Sequence, residues 1–195
     1  MLISAIYSLM FTIYAGLGFL VGSLFAIYGY KSFEISMAGM IFVACGTIAV
    51  FCFGIYLDRT NKYLFGLRMI SVTSTISMAS SMLLIPTGNI WCAIFFCAIA
   101  GSCIIPIVPV CFALATEVTH PVQPAMVLGL LANFANLMLF VMDLVYISFL
   151  SVNNPRPILC LAVMTINPLL CIFISMFVKE DLRRINANLD ISSMD

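Results

Sequence analysis

The chain has 195 residues, of which 64% are hydrophobic and only 8% charged, and its formal net charge is zero. A soluble domain carries about 25% charged residues, and the mean hydropathy of +1.19 excludes a water-soluble core that could bury so much apolar surface. A membrane β-barrel is excluded as well, because it needs alternating segments of about 10 residues and the apolar runs here do not alternate.

A bilayer core of about 30 Å takes roughly 20 apolar helical residues to cross. Six runs meet that length: Ile3–Tyr28, Ile35–Leu57, Leu64–Ile85, Ile90–Thr116, Ala125–Phe149 and Ile158–Val178. They must be helices, since open strands leave backbone groups unpaired in lipid. The expected fold class is therefore an all-α membrane protein, with a six-helix bundle over residues 1–178 and a polar tail over 179–195.

In chain order, the first span has no basic leader and is too long for a signal peptide, so it is read as mature helix. It begins almost at Met1, which is expected of a fragment of a longer chain. Its Gly18 and Gly22 form a GxxxG pair, a pattern that lets helices approach closely. Gly29 to Glu34 form the first connection. The third span carries Ser71, Thr73, Ser74, Thr75, Ser77, Ser80 and Ser81, residues suited to close packing and interhelical hydrogen bonds. Pro86-Thr87-Gly88-Asn89 is a turn by composition. Pro106 and Pro109 must kink or loosen the fourth span. His120–Pro124 and Asn153–Pro157 separate the last three spans. The tail starts as helix, with Glu180 and Arg184 four apart and able to pair, and then becomes polar.

The charges divide unevenly. Arg59, Lys62, Arg68, Lys179, Arg183 and Arg184 fall on one side, and Lys31 and Arg156 on the other. By the positive-inside rule, both termini face the cytoplasm; the expected location is the plasma membrane, with an organelle membrane as the alternative. The eight cysteines all lie within the spans, where they read as small packing residues rather than a disulfide framework. With His120 the only histidine and no CxxC, no metal, haem or other cofactor site is expected.

The fifth span holds the most informative polar stripe. Gly129, Asn133, Asn136 and Asp143 recur at helical spacing, and polar groups within spans face a bundle interior or a water-filled cavity. Asn136 falls near mid-span and must find a partner, either across a helix contact or in a cavity. Asp143 either reaches interfacial water or carries a proton. On the first span Tyr7, Phe11, Tyr14 and Gly18 share a face. Such rings either pack together or hold a quaternary ammonium by cation–π attraction.

Gly54-Ile55-Tyr56-Leu57-Asp58-Arg59, ending the second span, resembles the cytoplasmic loop motif of the major facilitator superfamily. There a glycine permits close helix approach, and the aspartate caps the next helix or pairs with an arginine. Leucine comes one place late here, and Asn61 stands where that motif has glycine. Glu117-Val118-Thr119-His120-Pro121 with Gly129-Leu130-Leu131 resembles the Glu-Ile/Val-Thr-Tyr-Pro…Gly-Leu-Leu segment of the feline leukaemia virus subgroup C receptor-related transporters. Val178-Lys179-Glu180-Asp181-Leu182-Arg183-Arg184 is similar to their Lys-x-Asp-Leu-Arg-Arg tail.

This resemblance implies helices seven to twelve of a twelve-helix carrier, with an N-terminal six-helix half as the missing partner. It also implies choline, ethanolamine or haem as the solute. It places Tyr14 and Asn136 in the substrate pocket, with Phe11 and Asn133 as neighbouring candidates. It assigns Gly54, Asp58, Arg59, Glu117, Asp181, Arg183 and Arg184 to gating or structural motifs. Asn136 stands where the family has a pocket glutamine, His120 replaces the motif tyrosine, and Asp143 stands where an uncharged residue is expected.

The expected function is alternating-access transport of a choline-like solute as part of that carrier. Haem export ranks lower, since the spans offer no basic pocket for two propionates. A non-transporting half or assembly partner is the alternative from another class. An intramembrane enzyme is not expected, because His120 lies at the membrane edge and Asp143 has no second intramembrane aspartate. The expected partners are the bilayer and the solute, not nucleic acid.

Overall fold

The computed structural model describes residues 2–60, 62–150 and 155–178. Among them the chain is all-α: α1 (Leu2–Ile27), α2 (Ser32–Thr60), α3 (Tyr63–Leu84), α4 (Ile90–Ile104), α5 (Ile107–Val118), α6 (Pro124–Phe149) and α7 (Pro157–Phe177), with a 3₁₀ turn at Ile85–Thr87. α4 and α5 are two halves of one span, so six segments are long and apolar enough to cross a membrane. The protein is an integral multi-pass membrane protein.

Local chemistry sets the ends. α1 stops in a Schellman arrangement: Gly29 adopts φ +82°, its N–H donates to Ala26 O at 3.1 Å, and Tyr30 N–H donates to Phe25 O at 3.3 Å. The Phe25 and Tyr30 rings, 5.1 Å apart, supply the apolar contact that accompanies this cap. α2 opens with Lys31 N–H donating to Glu34 Oε2 at 2.8 Å, half of a capping box. The Pro86–Asn89 turn resolves into the 3₁₀ turn, Gly88 at φ +66° and Asn89 as the α4 N-cap, accepting from Trp91 N–H at 3.1 Å. The span after it breaks at Ile105-Pro106, where proline cannot donate to the ladder. α6 and α7 both begin with proline in the first turn, where no N–H is missed.

Tyr30 ties two connections together. Its hydroxyl donates to Ile85 O at 3.1 Å and lies 3.4 Å from Asn89 O. Burial raises the phenol above its ordinary pKa, so it remains a donor. Tyr30→Phe is expected to cost about 1 kcal/mol, seen as a lower melting temperature in detergent; an unchanged melt would show that the bond contributes nothing.

The helices pair as α2 with α4, α1 with α6, and α3 with α7, while α7 also packs on α1 and α3 on α4. Glycine explains the first pair, although not the glycines that the sequence singles out. A Cβ at Gly101 would collide with the backbone carbonyl of Phe42, and one at Gly46 with the Ile105 side chain. The expected GxxxG contact does not form among the described residues: Gly18 and Gly22 have nothing within 4 Å of a built Cβ, and the same holds for Gly129.

The hydroxyls of α3 mostly bond to their own helix. Ser71 donates to Leu67 O and Thr75 to Ser71 O. Ser74 reaches across instead, to Cys103 O on α4 at 3.0 Å. Arg68 crosses from α3 to α7, donating to Ser175 O at 3.1 Å.

Burial is unequal. Within the most apolar stretch of each span, 11% of α6 and 17% of α2 is buried, against 39% to 50% in the others. α2 and α6 therefore keep broad apolar faces for lipid or for another protein surface.

Candidate functional site

α1 carries an aromatic ladder at helical spacing. Tyr7 and Phe11 ring centroids are 5.6 Å apart, Phe11 and Tyr14 5.9 Å, and Phe112 of α5 lies 5.3 Å from Tyr7. Tyr7 is fully buried, whereas Phe11 and Tyr14 are half-buried, so the ladder runs from the core to a surface. That surface is the wall of a cavity of about 510 Å³, which Phe11, Tyr14, Ala15 and Gly18 of α1 share with Gly39 and Phe42 of α2, Phe96 and Cys97 of α4, and Asn136 and Leu139 of α6.

Rings and one amide converge here on an otherwise apolar space, the arrangement of a small-molecule site. The cavity opens on one side, where Gly18, Phe19, Val43 and Asn136 are exposed. No Lys, Arg, Asp or Glu is among its lining residues. A larger groove of about 770 Å³ between α1 and α6 is lined by Ser4, Ser8 and Thr119 with apolar residues such as Leu130, Phe134 and Leu137, and it lacks a comparable ring-and-amide constellation.

Tyr14, Phe11 and Asn136 thus come together from α1 and α6. Asn133 does not join them: it is exposed and absent from the wall. Three residues at 100° each leave it about 60° further round α6 than Asn136. Among the described residues nothing lies within 4 Å of a Cβ built on Gly54, so no close helix approach is seen there. α2 continues as helix through Asp58 and Arg59 to Thr60, with Arg59 exposed, and the α3 N-cap is Lys62. The side chain of Asp58 lies outside the described residues. So do Lys179, Glu180, Asp181, Arg183 and Arg184, and with them the expected tail pairing. Glu117 is buried in the last turn of α5, far along the chain from the cavity wall.

Two features escape the sequence reading. Phe42, Phe96 and Cys97 look like ordinary apolar span residues, and only the packing of α2 on α4 turns them to the cavity. Asn167 of α7 is buried and donates to Thr12 Oγ1 at 3.1 Å and to Tyr146 Oη at 2.9 Å. This network fastens α1, α6 and α7 just behind the ladder. Asn167 beside Pro168 is its one sequence signal, an amide in a span that must find partners. No protein-family model matches the chain, and no curated protein matches it.

Proposed function

We propose that this protein forms one wall of a solute carrier and binds a small organic cation of the choline or ethanolamine type. The observation that carries the reading is the cavity itself. Three aromatic residues of α1, Phe11, Tyr14 and Phe19, line an apolar space of about 510 Å³ that also presents the Asn136 amide. A quaternary ammonium has no hydrogen bonds to satisfy and is held by ring faces, while an amide serves a terminal hydroxyl. Haem is the weaker reading, because its propionates need cations and no Lys or Arg is among the lining residues.

A second six-helix unit supplies the other wall in this reading, seated over the exposed faces of α2 and α6, as in carriers that place their site between two repeats. The resemblance to the C-terminal half of a major facilitator carrier supports that arrangement, with both termini in the cytoplasm and the plasma membrane as location.

The test is radiolabelled choline binding to the purified chain in lipid nanodiscs. Tyr14→Ala is expected to weaken binding about tenfold, the equivalent of a cation–π contact of about 1.4 kcal/mol, whereas Tyr14→Phe keeps a ring and stays within about twofold. Equal binding by wild type and Tyr14→Ala would sink the site assignment. Uptake into vesicles by the 195-residue chain alone would remove the need for a second unit.

A further inference from the structure

Asp143 of α6 has a surrounding that neither packing nor the solute cavity uses. Its Oδ1 is buried and has no hydrogen-bond partner among the described residues. It faces Gly16 of α1, lying 3.6 Å from the position of a Cβ there, and the Tyr146 ring edge lies 3.2 Å from the same point. A carboxylate near a helix end often simply reaches interfacial water. Asp143 is six residues before Phe149, about 9 Å from the end of α6, and its Cα–Cβ bond tilts toward the helix start, away from that end. The side chain is therefore directed into the α1–α6 seam.

No countercharge meets it there. Among the described residues α1 and α7 contain no charged side chain, and α6 contains only Asp143. The titratable groups on the helices around it are Tyr146 on its own helix, Tyr7 and Tyr14 on α1, and Cys160 and Cys171 on α7. On α5 the titratable groups are Cys111, buried in mid-helix, and Glu117, which lies in the last turn, beside the start of α6 and so at its opposite end. Arg156 is the nearest cation along the chain. It sits exposed beyond the end of α6, where its N–H donates to Phe149 O at 2.7 Å.

An ionised carboxylate is disfavoured when one of its oxygens is buried with no hydrogen bond or countercharge. A neutral carboxyl avoids that cost, and intramembrane acids serve as proton carriers for this reason. We propose that Asp143 is a proton-binding site: the carboxyl holds a proton while α1 and α6 are closed over it and exchanges it with water when the seam opens.

The site adjoins two other parts of the molecule. Asn136 and Leu139 of the cavity wall lie seven and four residues before Asp143, on the same helical stripe. Tyr146, one turn beyond, is anchored by Asn167. A change in the seam at Asp143 is thus one helical turn from the solute cavity. Coupling of the proton to solute binding rests on the proposed function; the proton site itself does not.

Infrared spectroscopy of the purified chain in lipid nanodiscs tests the site. At neutral pH the wild type is expected to show the carbonyl stretch of a neutral carboxyl, shifted in deuterated water. Asp143→Asn, an isostere of the neutral acid, should lose that band without a lower melting temperature, and Asp143→Glu should keep a displaced band. Glu117→Gln should leave the Asp143 band in place. A wild type without the band, or a band that survives Asp143→Asn, would overturn the proposal. So would an Asp143-dependent carboxylate signal that responds to sodium and not to pH.

A second arm adds choline and reads proton release with a pH dye. Release by the wild type, lost in Asp143→Asn, supports coupling. Choline binding without release defeats coupling alone, and absence of choline binding with an intact carboxyl band defeats the solute reading while leaving the proton site standing.

Discussion

Gly101→Val is expected to lower the stability of the bundle by about 3 kcal/mol, the upper part of the usual range for overpacking. The reason lies in what the new side chain meets. A Cβ at Gly101 runs into the carbonyl group and Cα of Phe42, and backbone cannot rotate aside as a side chain can. α2 and α4 must move apart, and Phe42 and Phe96, which close one side of the cavity, move with them. Gly101→Ala shares the clash and should lose about 1–3 kcal/mol.

The informative control is Gly54→Ala. It has open space at Cβ and should gain up to about 1 kcal/mol through the better helix propensity of alanine. Thermal melting of the four proteins in one detergent orders them. Equal melts for Gly101→Val and wild type would show that α2 and α4 are not in backbone contact.

Asn167→Leu, close in shape but without the amide, is expected to cost about 1–3 kcal/mol. The loss falls unevenly on its two partners. Thr12 Oγ1 keeps its bond to Leu9 O at 2.7 Å, whereas the fully buried Tyr146 hydroxyl loses its donor. Interhelical hydrogen bonds in membranes average about 0.6 kcal/mol, because a helix in lipid finds other partners. The Tyr146 phenol keeps a side-chain hydrogen bond with Thr12, so a cost between these values, about 1 kcal/mol, is expected here.

A double-mutant cycle with Tyr146→Phe isolates the pair. The double variant should be more stable than the sum of the single losses predicts, by about 1 kcal/mol. Strict additivity would show that Asn167 and Tyr146 do not interact in the bilayer.

Spacing made the shared face and the unmet amide of the candidate site legible, while the pocket role of Tyr14 and Asn136 came from the family resemblance. Phe11 and Tyr14 share a helical face in any α1, and Asn136 near mid-span needed a partner or a cavity; all three reach the same wall. Asn133 shows the limit of that reading. Three residues from Asn136 is near enough in sequence to suggest one stripe, but the cavity edge falls between them. The glycines show another limit. Gly18, Gly22 and Gly54 match recognised patterns and meet nothing within 4 Å, while Gly46 and Gly101, in runs with no pattern, carry the tightest contact. A glycine that allows close approach and one that merely lacks a side chain look identical until the facing helix is known.

Composition and run length alone determined that this is a six-span α-helical membrane protein, because lipid leaves a backbone no other way to satisfy its hydrogen bonds. Local residues also determined where spans end, at Gly29, Gly88, Pro124 and Pro157, and where one breaks, at Pro106, since these act through backbone geometry that needs no neighbour. Only the tertiary structure decided which helices pair, that the Tyr7–Phe11–Tyr14 ladder opens into a cavity closed by Phe42 and Phe96, and that Asp143 faces Gly16 without a partner. In lipid one apolar helix face resembles another, so hydrophobicity does not choose between them. Close packing and a few buried polar groups make that choice, and both depend on residues far apart in the chain.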